Sequence, residues 1–137
     1  MEFELLEHPA DIGFRARGAT VEELFANCAR ALVFIILDSS QIRPAQNVLL
    51  SADGSDYESL LVNWLNEVLY YVDGKRIALD AFEISQLNDT HIECIARGEL
   101  RDVQKHPPRL VVKAVTYHQL KVQHTESRWI AEVYVDV

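Results

Sequence analysis

The chain has 137 residues, 49% of them hydrophobic and 25% charged, with a formal net charge of −8. That is the size of one domain, with enough apolar material for a core that needs no disulfide staples. The acidic balance disfavours sequence-independent binding to nucleic-acid backbones, and no apolar run reaches the roughly 18 residues of a membrane span.

The chain begins "MEFELLEHP", with acids where a secretory leader would carry basic residues, so secretion by that route is not expected. Alternation predicts strands near Glu2–Leu6 and Ile12–Arg17. Between them "HPADIG" sets a lone carboxylate, Asp11, at the mouth of the second strand. A helix is predicted from Thr20 to Leu37. Leu24, Cys28, Leu32 and Ile36 form one row at spacing four, and Phe25, Ala29, Val33 and Leu37 form a second beside it. "TVEE" reads as its start, with Thr20 as cap and Glu23 reaching back.

A strand near Asn47–Ser51 precedes a second helix from Asp56 to Asp73, with rows Leu60, Trp64, Val68, Val72 and Leu61, Leu65, Leu69. Ser55 is its predicted cap, with Glu58 three residues on, and Gly74 its predicted left-handed stop. "ADGSDYE" lacks the full ligand pattern of a calcium loop and reads as a turn into this helix. Strands follow near Ala81–Leu87 and His91–Gly98, joined by a turn at "NDT". "LRDVQKHPPR" reads as a long irregular loop, and Leu110–Tyr117 is ambiguous between strand and helical turn. The last strands fall near His118–Gln123 and Trp129–Val137, with a turn at "HTES". The pattern predicts one α+β domain. Its two helices repeat a row pattern, a cap and flanking strands, which hints at a duplicated strand–helix–strand–strand unit.

Candidate chemistry gathers at the chain's end. Asp136 and the terminal carboxylate lie within one residue of each other, and Asp11 adds a third anion if its strand lies beside the last one. Like charges so close repel unless a cation sits between them, and such an oxygen set suits a hard ion such as Ca²⁺ or Mg²⁺. The plainer reading, that Asp136 frays into solvent and Asp11 caps a turn, fits the same residues. His8 is either a neighbour of that cluster or a donor to a backbone carbonyl. "VKAVTYHQL" collects Lys113, Thr116, Tyr117 and His118 inside an apolar run. Lys113 there serves either the acids, a partner's anion, or only the surface. The basic residues Arg101, Lys105, His106, Arg109 and Lys113 form the one local basic stretch. Cys28 and Cys94 lie in apolar patterns and read as buried, reduced thiols of a cytosolic protein. No zinc-enzyme histidine pair, phosphate-cradling glycine loop or nucleophile elbow is present, so no self-contained catalytic apparatus is expected.

"HPADIG" at His8–Gly13, "NWLNEVLYYVD" at Asn63–Asp73, "GE" at Gly98–Glu99, His106, "VKAVTYHQL" at Val112–Leu120 and the terminal "DV" occur together and in order. In this the chain resembles the archease family over essentially its full length. The family usually has threonine where Pro9 stands, so a supporting hydrogen bond beside Asp11 is in doubt.

The resemblance implies two nested strand–helix–strand–strand (SHS2-like) modules, the second, roughly residues 47–98, inserted in the first. It implies a small cytoplasmic accessory protein, not an enzyme, whose partner is an RtcB-type RNA ligase of tRNA splicing and RNA repair. Archeases promote that ligase's guanylylation and turnover and can widen its nucleotide use. The family's metal site, often assigned as calcium with magnesium or manganese as alternatives, falls on Asp11, Asp136 and the main-chain oxygen of Val137. His8, Lys113 and His118 are the expected second shell or partner contacts. A metal-independent chaperone of several proteins and a metal-dependent hydrolase are the rival classes.

Overall fold

The computed structural model describes residues 2–8 and 11–137; for Glu7, His8 and Asp11 it describes the backbone alone. Strand β1 spans Phe3–His8 and β2 spans Asp11–Gly18. Alternation in β2 turns Phe14 and Ala16 inward, both fully buried, and leaves Arg15 and Arg17 on the outer face. There Arg15 pairs with Glu4 of β1 at 2.7 Å and with Glu132 at 2.8 Å, a cross-strand ladder over the outside of the sheet.

Helix α1 is Val21–Ile36, and Thr20 caps it by accepting the Glu23 amide at 3.1 Å. Its two apolar rows merge into a nearly all-round buried surface, because α1 packs on β1 and β2 and also on a strand of the second sheet. That second sheet holds β3 (Gln46–Asp53), β4 (Ile77–Leu87) and β5 (His91–Leu100) in the order β3-β5-β4, all antiparallel.

Helix α2 is Tyr57–Leu69, between β3 and β4 in sequence. The predicted Ser55 cap is corrected by one residue. Asp56 is the cap, accepting the Ser59 amide at 2.8 Å, and Ser59 Oγ closes the box by accepting the Asp56 amide at 3.2 Å. A carboxylate is the stronger acceptor for helix amides, and serine three residues on replaces the usual glutamate. The other end also differs. Tyr70–Gly74 continues as a π-helical turn, closed by the Lys75 amide on the Tyr70 carbonyl at 3.0 Å. Gly74 does not adopt a left-handed conformation; Arg76 does, at φ 58°. Glycine at 74 instead makes room, since a Cβ there would stand 3.1 Å from the Tyr70 ring.

The remaining strands are β6 (Ala114–Val115), β7 (Lys121–Thr125) and β8 (Arg128–Asp136). They complete the first sheet as β1-β2-β8, with β7 and β6 both paired to β8. The order β2-β8-β7 repeats β3-β5-β4 of the other sheet. α2 lies on β3 and β5 and also touches β6 and β7, so both helices contact both sheets and a continuous apolar core runs through them. Trp64, fully buried at its centre, donates Nε1–H to the Phe25 carbonyl of α1 at 3.0 Å. Cys28 and Cys94 are free and buried, as expected, and burial pushes both thiols well above their ordinary pKa, Cys94 to about 12. Among the described residues no helix is long and apolar enough to cross a membrane.

Candidate functional site

The antiparallel register of β2 on β8 pairs Ile12 with Val135 and Gly13 with Tyr134. Asp11 and Asp136 are the next residues outward on the two strands, so the early strand and the chain's last residues adjoin. Gly13 is demanded here by its neighbour. A Cβ would stand 2.4 Å from the Val133 carbonyl oxygen and 2.7 Å from the Tyr134 ring. The ring covers the glycine, and His118 meets it edge-on at 6.2 Å between centroids.

Asp136 is fixed from its other side as well. β6 pairs Ala114 with Asp136 and Val115 with Val135, and the Lys113 amide donates to the Asp136 carbonyl at 2.7 Å. β6 itself is held by α2. Asn66 Nδ2 donates to the Val115 carbonyl at 3.2 Å, and its Oδ1 accepts the Val115 amide at 2.9 Å. The asparagine side chain thus serves β6 as a neighbouring strand would.

Asp136 and Val137 are exposed. Among the described residues the Asp136 carboxylate has no hydrogen-bond or ion-pair partner, and the Lys113 ammonium pairs with no acid. A lysine or arginine neutralising Asp136 is therefore not what the described side chains show. Exposed carboxylate oxygens beside a main-chain oxygen are a hard donor set, which fits a Ca²⁺-type ion. Among the described residues no three His, Cys, Asp or Glu side chains converge. The side chains of Asp11 and His8, and all of Pro9, lie outside the described residues, so that statement does not reach them.

The long loop reads differently in space. The predicted basic stretch is largely tied down internally. Lys105 Nζ pairs with Glu99 at 2.7 Å, and the Arg43 amide donates to the same carboxylate at 2.9 Å. His106, 1% exposed, accepts the Asp102 amide on Nδ1, which leaves Nε2–H to donate to Glu99 at 3.0 Å and to the Gln41 carbonyl at 3.1 Å. Led by the Lys105 ammonium and the Arg43 amide, these donors pull the Glu99 carboxyl down to about 2.

Beyond His106 the loop caps α1. The Arg109 amide takes the Ile36 carbonyl at 2.8 Å, the Leu110 amide that of Ile35 at 3.2 Å, and the Arg109 guanidinium that of Phe34 at 3.1 Å. These are carbonyls that a helix end leaves without partners, and the cation also suits the negative end of the dipole. Sequence reasoning saw a basic patch here and missed the cap. It also missed Asn66, whose partner lies 49 residues away and leaves no local signal. The signal for the Glu99 cluster was weak but present, an acid with a lysine and a histidine six and seven residues on.

Two further histidines, His91 and His124, do structural work. His91 bridges Asp53 at 2.7 Å and Glu93 at 2.9 Å, and the two carboxylates, Glu93 foremost, raise its pKa. His124 stacks on Trp129 with centroids 4.1 Å apart.

A model of the Archease protein family matches residues 3–137. The archease of Methanopyrus kandleri is 36% identical over 140 residues, covering 100% of both chains. That of Methanosarcina mazei is 38% identical over 142 residues, covering 99% of this chain and 96% of its own. The solution structure of a Methanobacterium thermoautotrophicum protein matches with a TM-score of 0.83 at 32% identity, over 99% of each chain. The crystal structure of an archease from Thermotoga maritima shares the fold, with a TM-score of 0.67 at 20% identity over 98% of this chain and 96% of its own. Full-length matches of this strength, on the same α+β frame, make the chain a member of the archease family.

Proposed function

We propose that the chain is an accessory protein that activates an RtcB-type RNA ligase in tRNA splicing and RNA repair. It promotes the ligase's guanylylation and turnover through a divalent-cation edge formed by Asp11, Asp136 and the main-chain oxygen of Val137. One observation carries this reading: the register in which Asp11 and Asp136 each follow the Ile12–Val135 pair. Both residues carry acids, and like charges on adjoining strand positions repel unless a cation offsets them. When bound, a divalent ion there supplies positive charge that attracts phosphate or carboxylate oxygens of a partner's nucleotide site. Asp136 presents its carboxylate outward, with its backbone fixed by the Lys113 amide and Ala114. Lys113 offers an uncommitted ammonium beside the edge, while His8 and His118 stand at its borders as contacts for the partner.

The test is single-turnover guanylylation of the cognate ligase, with calcium titration of the isolated chain alongside. Asp11→Ala and Asp136→Ala each lose most of the stimulation and weaken calcium binding, while circular dichroism shows them folded. Full stimulation by both variants removes the acidic edge from the mechanism.

A further inference from the structure

A second feature lies next to that edge and is independent of its acids. The π-turn at the end of α2 and the segment entering β6 enclose an open groove of about 320 Å³, with Tyr70, Asp73 and Gly74 on one wall and Val112 and Lys113 on the other. That is the low end of the range for small-ligand pockets, about 300 to 1,000 Å³. Tyr70, which follows the last residue of α2, is 56% exposed, whereas Trp64 within that helix is fully buried. Its ring stands perpendicular to that of Tyr71 at 5.6 Å, and Lys75 Nζ lies 5.7 and 5.1 Å from the two centroids. Gly74 leaves space for the ring where any side chain would crowd it.

Asp73 lies in looser ion pairs. Its Oδ1 is 3.5 Å from the Arg101 guanidinium and 3.7 Å from that of Arg76, and its side chain stays 42% exposed. Arg76 occupies the left-handed region at φ 58°, a position that favours glycine or asparagine. Of the basic residues nearby, Lys113 lines the groove itself, while Arg76 and Arg101 lie against Asp73 and Lys75 sits by the two tyrosine rings. Lys113 also adjoins the acidic edge through its amide bond to Asp136.

We infer that this groove binds a guanine nucleotide. An exposed tyrosine ring gives a flat surface for a purine base. The exposed Asp73 carboxylate accepts the N1–H and N2–H donors that guanine presents and adenine lacks. The Lys113 ammonium takes the phosphates and directs them toward the Asp136 edge, where a divalent ion that accompanies a nucleoside triphosphate finds oxygens. The inference gives the ligase-activating reading a substrate contact and rests on that reading for its purpose; the binding event itself involves this chain alone.

The experiment titrates the ¹⁵N-labelled full chain with GTP, with ATP, and with a short ribo-oligonucleotide ending in guanosine, at millimolar concentration with magnesium. GTP shifts the amides of Tyr70, Asp73, Gly74 and Lys113 and binds more tightly than ATP. Tyr70→Ala weakens GTP binding by about tenfold, in the range of base–aromatic stacking, whereas Tyr70→Phe keeps it. Asp73→Asn removes the preference for GTP over ATP. Absence of shifts in the groove, unchanged affinity in Tyr70→Ala, or an oligonucleotide that binds more tightly than GTP overturns the inference. No ligase is present in this titration, so its outcome is separate from that of the guanylylation assay.

Discussion

Asn66 is the side chain on which the geometry of the chain's end most depends, and its loss has a calculable cost. Its amide makes two bonds to Val115, at 2.9 and 3.2 Å. Asn66→Ala removes both. Each is worth about 1 kcal/mol net, and alanine returns roughly 0.5 kcal/mol in helix propensity, so a loss of about 1.5 kcal/mol is expected. Asn66→Asp is worse near neutrality. The carboxylate still accepts the Val115 amide, but its second oxygen faces the Val115 carbonyl with no proton to donate. That repulsion raises the introduced carboxyl's folded pKa above its unfolded value of about 3.9. Its excess penalty is therefore fully present above the folded pKa and shrinks as pH falls through it.

Urea denaturation followed by circular dichroism, near pH 7 and again near pH 4, measures both effects, and hydrogen exchange at the Val115 amide locates them. Asn66→Ala within about 0.5 kcal/mol of wild type, the ordinary scatter of surface substitutions, would refute the reasoning. So would Asn66→Asp that is no worse than Asn66→Ala near pH 7.

Glu99 gives a prediction for acid. Its carboxyl is held at about 2, below the ordinary 4.5, so the stabilisation it provides is complete above about 4.5 and is lost as pH falls toward 2. The gap in urea midpoint between wild type and Glu99→Gln should be flat from about pH 5 to 7 and close by about pH 2; a gap that persists there contradicts the assignment. Gly13→Ala places a Cβ against the Val133 oxygen and the Tyr134 ring and should cost about 1 to 3 kcal/mol, as overpacking does. Removing the ring by Tyr134→Ala should recover only part of that cost, because the backbone oxygen remains, and a double-mutant cycle reads the difference.

Both helices and the fold class could be read from the sequence because each helix keeps two full apolar rows, and those rows became the core. The "NDT" turn was equally legible. Asn88 Oδ1 accepts the Thr90 amide at 2.9 Å, the local bond that makes Asn a turn former. What failed did so for reasons of register and distance. β4 begins at Ile77, not Ala81, because the pairing slips between Leu79 and Ala81. The bulge at Asp80 breaks the alternation that marks a strand. β7 starts at Lys121, not His118, because Gln119 at φ 52° interrupts the extended chain. β6 is two residues long and owes its place to Asn66 and to β8, neither of which is near it in sequence. In the candidate site, Asp11 and Asp136 could be named as candidates from the pattern of acids, with Val137 added only by what the archease resemblance implies. The elements that hold Asp136 could not.

The two sides of the acidic edge are secured by different means. Asp136 is held by a chain of contacts from the core outward: Asn66 in α2 fixes Val115, β6 pairs with β8, and the Lys113 amide takes the Asp136 carbonyl. Asp11 is set by the register of β2 on β8 together with its pairing to His8. Side chains alternate faces at every residue, so a slip of one position would turn Phe14 and Ala16, both fully buried, out of the core and drive Arg15 into it. Expelling a phenylalanine and burying an arginine without a partner costs several kcal/mol, a large share of a domain's net stability of about 5 to 15 kcal/mol. The register that sets position 11 beside position 136 is thus enforced by hydrophobic residues that take no part in the edge's chemistry. Phe14→Ala should therefore weaken the calcium binding proposed for this edge although it removes none of the acids, and the calcium titration that tests Asp11→Ala and Asp136→Ala reads the loss.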